Sequence, residues 1–184
     1  FLVVYDFNNS AGASDTFQAN LSANADLSAV GNSSTLAIPP SGAPLAGGLK
    51  TVRQATLALS NGLNAPTDRS VFRDEKDVAV IQLRLTAGPA EPVEVTSVRV
   101  TPTGTGNSTT EISRVRLYLE GDPADGVLNG DQLVGDFANY AGGPLTIAPT
   151  SSVSIPAGGN KSLLLIVDHN APASAAGATF GAQV

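Results

Sequence analysis

The chain has 184 residues, 42% of them hydrophobic, with 19 glycines and 12 prolines. That suits one generous domain or one domain plus part of another, punctuated too densely for long helices. Charged residues are only 14% of the chain and the net charge is -6, which removes the electrostatic footprint of a nucleic-acid or anionic-membrane binder; the absence of cysteine excludes disulfides, thiolate zinc sites and cysteine nucleophiles, and no apolar run of about 18 residues offers a membrane span.

The beginning of the chain repeats its end. Leu2-Val3-Val4-Tyr5-Asp6, Asn8 and Thr16-Phe17-Gln18-Ala19 return as Leu164-Leu165-Ile166-Val167-Asp168, Asn170 and Thr179-Phe180-Gly181-Ala182. A strand pair of this kind belongs at the close of a folding unit, so the pair in residues 1–20 is expected to complete a neighbouring sheet, either as a donor strand or as the tail of a preceding repeat. The spacing from Leu2 to Leu164 is 162 residues, which would be the period of a tandem array. Because methionine is absent, Phe1 is not expected to be a translation start. Residues 21–51, with Pro39-Pro40-Ser41-Gly42-Ala43-Pro44 and Ala46-Gly47-Gly48, read as a linker or long loop.

From Gln54 onward a period-two pattern is sustained. Ala55 to Leu59 reads as a strand, followed by Val78 to Leu85 with Ala79, Ile81, Leu83 and Leu85 inward and Val78, Val80, Gln82 and Arg84 outward. Val93 to Val100 carries its valines in two registers, which predicts a bulge near Thr96-Ser97. Arg114 to Leu119 alternates, with Val115, Leu117 and Leu119 inward. Further strands are expected at Gln132 to Phe137, Leu145 to Ile147, Val153 to Ile155, Ser162 to Val167 and Thr179 to Val184. Short strands at this spacing describe an all-β, antiparallel β-sandwich over 52–184.

Leu85-Thr86-Ala87, Gly104-Thr105-Gly106, Val115-Arg116-Leu117-Tyr118 and Asp125-Gly126 follow one another in order. In these motifs residues 54 to 184 resemble the immunoglobulin-like repeats of bacterial and archaeal cell-surface proteins, such as surface-layer or extracellular filament proteins. The resemblance implies an Ig-like sandwich, with the N-terminal strand segment and linker outside the main domain, and an extracellular structural role at the cell surface.

Five Asn-x-Ser/Thr triplets, at Asn8, Asn20, Asn32, Asn107 and Asn160, are candidate sites for attached glycans. The segment from Glu120 to Asp131 alternates carboxylates with glycine turns, so Asp122, Asp125, Asn129 and Asp131, with the Val127 carbonyl, could hold calcium by its preference for six to eight oxygens. The same residues are ordinary hairpin formers, and both readings stay open. His169, the only histidine, follows an apolar strand with no nucleophile placed near it, and Phe7 takes its place in the first copy. Arg69 to Asp77 reads as a solvated, mixed-charge loop or a contact to a neighbouring subunit. Gly104-Thr105-Gly106-Asn107 lacks the Lys-Ser/Thr of a phosphate loop and reads as a turn.

No acid and base pair stands out, so the chain is not expected to be an enzyme. The expected function is structural: other copies of the chain are its partners, assembled head to tail into a filament or lattice by strand complementation. The alternative is a tandem-repeat cell-surface adhesin or an accessory ligand-binding domain.

Overall fold

The computed structural model describes residues 2–8, 10–121, 124–170 and 177–184. It divides into two compact units, residues 1–54 and 55–184.

The first unit is a nested antiparallel hairpin built from pieces of two residues. β1 (Thr16–Phe17), β2 (Asn20–Leu21) and β3 (Ala29–Val30) form one limb, and β4 (Ala37–Ile38), β5 (Leu45–Ala46) and β6 (Lys50–Thr51) return along it. Thr16 faces Thr51, Leu21 faces Leu45 and Val30 faces Ala37. Residues 21–51, read above as a linker or loop, therefore carry the end of the first limb and the whole return limb. Prolines 39, 40 and 44 have no amide to donate, which breaks the ladder into short rungs. Residues 2–8 have no ladder partner among the described residues.

The second unit is an antiparallel β-sandwich, as the alternation predicts. Its larger layer has the order β12-β11-β15-β8-β7, from β7 (Leu57–Asn61), β8 (Val78–Ala87), β11 (Ile112–Leu119), β12 (Gln132–Ala138) and β15 (Asn160–His169). Facing it, β10 (Val98–Thr103) runs between β13 (Leu145–Ile147) and β16 (Gly181–Gln183), and β9 (Val93–Val95) pairs with β14 (Val153–Ile155). A one-turn helix, α1 (Ser108–Glu111), precedes β11. One apolar core joins the layers: Leu83, Val115, Leu117, Leu163, Leu165 and Val167 from the large sheet meet Val98, Val100, Ile147, Val153 and Ile155.

Two local departures from strict alternation are instructive. Ile81 pairs with Leu165 but Ala79 with Ile166, so Val80 is an extra residue in β8. Beyond that bulge the side chains change faces: Val78 joins the main core, while Ala79 packs with Tyr118, Leu164 and Ile166 on the opposite side. At Thr96-Ser97 the chain does more than bulge. It ends β9 and begins β10, which take different partners while both face the same core.

Gln82 faces away from the main core, yet it is fully buried. The turn after β7 and the acidic loop after β11 close over it. Its amide nitrogen donates to both Glu120 oxygens at 3.0 and 2.8 Å, and its side-chain oxygen accepts from Asn64 N at 2.9 Å. Gly62 must lack a side chain here, since a Cβ would lie 2.0 Å from that oxygen.

Leu117, 1% exposed at the centre of the core, and Leu59, 58% exposed on the edge strand β7, give a direct test of this packing. Leu117→Ala is expected to lower unfolding free energy by about 2–5 kcal/mol and Leu59→Ala by about 0.5 kcal/mol or less, measured by urea denaturation.

Candidate functional site: the closing strands and their exposed copy

β15 lies at the middle of the large sheet and is paired on both edges, to β11 and to β8. β16 belongs to the other layer, where it pairs with residues 101–103 of β10. The two repeated stretches, expected from the sequence to be a strand pair, are thus not paired with each other: one completes each layer. A sandwich without them would leave the inner edges of β11 and β8 unpaired and its core open.

The first copy of this sequence meets a different environment. Leu164, Leu165, Ile166 and Val167 are 0, 1, 0 and 4% exposed, whereas Leu2, Val3, Val4 and Tyr5 are 87, 66, 71 and 43% exposed. An apolar run suited to the centre of a sheet lies open to solvent.

Part of the closing arrangement is nevertheless retained. His169 packs edge-on against Phe180 with ring centroids 5.1 Å apart. The residues at the matching places, Phe7 and Phe17, make a ring contact at 4.9 Å. Gly106 makes room for Phe180, because a Cβ there would lie 2.0 Å from the ring. The Gly-Thr-Gly turn identified in the sequence therefore serves as the seat of this aromatic residue, with Thr179 accepting from Thr105 N at 3.1 Å.

Asp168, at the end of the apolar run, is the electrostatic anchor of the site. Its carboxylate pairs with the guanidinium of Arg116, both side chains being nearly buried, and accepts from Asp77 N at 2.9 Å. Arg116 also pairs with Asp77 at 2.7 Å and donates to the Tyr118 hydroxyl at 3.2 Å. The loop over residues 69–77, read above as solvated or as a subunit contact, is fastened to this point. Arg69 pairs with Glu75 at 2.6 Å, Lys76 donates to the His169 carbonyl at 2.7 Å, and His169 N donates to the Glu75 carbonyl at 2.9 Å. Arg116 and Asp168 escaped the sequence reading because alternation assigns outward residues of β11 and β15 to solvent. The signal that points to Asp168 is the recurrence of Asp at the end of both apolar runs. Asp6, its counterpart, has no hydrogen bond or ion pair among the described residues.

Beside this site, among the described residues, residues 78–80 of β8 have no ladder partner on the side away from β15. β7 pairs only with residues 83–87, and next to residues 78–80 runs a groove of about 710 Å³ walled by residues 66–71 and 177–182.

Of the candidate calcium ligands, Asp122 lies outside the described residues. Asp125 accepts from Val127 N at 3.1 Å, and Asp131 accepts from Gly121 N at 3.0 Å; Val127 and Asn129 are exposed. Both carboxylates thus hold turns of their own loop, and no group of three His, Cys, Asp or Glu side chains converges among the described residues. Glu120, not chosen from the sequence, is the buried carboxylate of the loop: burial raises its pKa above the ordinary 4.5, against hydrogen bonds from Gln82 and Gly126. The five candidate glycosylation residues, Asn8, Asn20, Asn32, Asn107 and Asn160, are all exposed. Asn107 also caps α1, accepting from Thr109 N at 3.0 Å.

Comparison with family models, curated proteins and solved structures finds no match to this chain.

Burial holds the His169 imidazole below its ordinary pKa of 6.5, with Glu75 acting in the opposite direction. The folded form thus binds fewer protons than the unfolded chain, so this contribution to stability is complete above pH 6.5 and is lost as pH falls through the folded pKa. His169→Phe, which installs the residue of the first copy, is expected to remove that acid-side loss while keeping the ring contact to Phe180. Denaturation midpoints from pH 7.5 down to pH 5 check it: the wild-type curve falls more steeply than the variant's.

Proposed function

We propose that this chain is an extracellular structural building block whose segment 1–20 completes another β-sandwich, so that sandwiches are joined in series. The observation that carries the reading is the contrast between two copies of one sequence. One is buried as the central strand β15; the other is exposed at its apolar run, with no ladder partner among the described residues. An extended segment of this kind gains most by entering an open sheet, where main-chain hydrogen bonds supply affinity and alternate side-chain pockets supply register. The contact is heterologous, with a donor meeting a different acceptor, and its repetition builds a rod or filament rather than a closed ring. The resemblance to cell-surface repeats and the exposed sequons agree with this setting.

An intact copy already holds its own β15, so a sandwich lacking its last two strands is the natural acceptor. A second reading, polymerisation of intact copies, has its own support in residues 78–80 of β8, which have no ladder partner among the described residues on the side of the groove. The two are separated by comparing the full chain with a chain ended at Pro156, which has lost β15 and β16. On the first reading the shortened chain polymerises, each copy filling the vacancy in the next, while the full chain stays monomeric and caps the ends; Val3→Asp in the shortened chain abolishes assembly. On the second, the full chain itself polymerises. Monodisperse behaviour of both in light scattering and electron microscopy would contradict strand complementation.

A further inference from the structure

The exposed segment carries information about its acceptor. Leu2 to Phe7 matches Leu164 to His169 position by position, and the second set shows what each place requires. The apolar places lie between two strands, paired across to β11 and β8. The acidic place requires a cation, since the Asp168 carboxylate is nearly buried and sits on the guanidinium of Arg116. The ring place requires an aromatic neighbour, Phe180, brought in by the strand that completes the opposite layer. Phe7 already has that neighbour in Phe17. What the segment lacks is what β11 and β8 supply: two strand edges and an arginine. Asp6 has no hydrogen bond or ion pair among the described residues.

We propose that the acceptor is a sandwich of this chain's own kind, incomplete by its last two strands, in which Asp6 closes a nearly buried ion pair with an arginine placed as Arg116 is placed here, and Phe7 and Phe17 enter together as a preformed clasp. This rests on the reading that segment 1–20 completes another sandwich, and it adds the chemistry of the partner. One place differs in size. Tyr5 stands where Val167 lines a small apolar cavity together with Tyr140 and Phe180, so the acceptor has more room at that point between its layers.

The full chain offers its own β15 site as the test bed. Leu165→Val, Ile166→Val, Val167→Tyr and His169→Phe together write the sequence of the first copy into β15, leaving Leu164 and Asp168 in place. A second variant keeps Val167 and carries the other three changes, to separate strand identity from the volume of the tyrosine ring. At least one of the two is expected to unfold cooperatively within about 10 °C of the wild-type midpoint. Asp168→Asn is expected to lower the midpoint by a similar amount, about 10 °C, in the wild type and in that variant. If both variants lose cooperative unfolding, or if Asp168→Asn costs the wild type but not the folded variant, the proposal is overturned. The readout is the stability of a single chain, so it stands apart from the assembly assay: serial joining can fail there while the first copy still fits β15 here.

Discussion

The double ladder of β15 is the constraint on which the second unit depends. A strand paired on both edges and buried on both faces fixes the register of β11 on one side and of β8 on the other, and it supplies the middle of the core through Leu163, Leu165 and Val167. Its outer face is no more exposed than its inner one, because Leu164 and Ile166 pack with Tyr118 and Ala79. Near-continuous apolar sequence is the mark of a strand in that position. The similar apolar run at the start of the chain lies exposed, and the proposal that it enters a sheet elsewhere rests on that contrast.

Polar chemistry on the outer face of the large sheet reinforces this arrangement. The Gln82 and Glu120 pair closes one end, drawing in the turn at Asn64 and the loop at Gly126. Arg116 and Asp168 close the other and hold the 69–77 loop. Both groups sit where alternation calls for solvent-facing residues, and both are buried because loops fold back over them. Arg116 Nε is buried with no hydrogen-bond partner among the described residues. Removing Asp168 would leave a nearly buried guanidinium with only the more exposed Asp77 to balance it, a change that costs far more than loss of a surface pair.

Much of the sandwich was legible in the sequence because its strands alternate cleanly. The inward set Val115, Leu117 and Leu119, and the strands at Leu145 to Ile147 and Val153 to Ile155, appear where the pattern puts them. The letters from Val78 to Leu85 show no switch of register, since residues on both faces are apolar at 78–81, so the face change at Val80 was hidden. Nor can alternation reveal rungs of two residues, and the rungs within residues 21–51 read as linker or loop. Of the candidate sites, the repeat was visible as letters, but its meaning as one strand for each layer needed the pairing of β15 and β16. The role of Asp168 was hidden because its partner is 52 residues away in sequence.

Hydrogen exchange of the amides in residues 2–7 tests the central claim most directly. The account predicts rapid exchange in the isolated monomeric chain, where residues 163–169 stay protected, and slow exchange once the full chain is bound to the chain ended at Pro156. Strong protection of residues 2–7 in the isolated monomer would show that their partner lies within their own molecule, and would contradict the account.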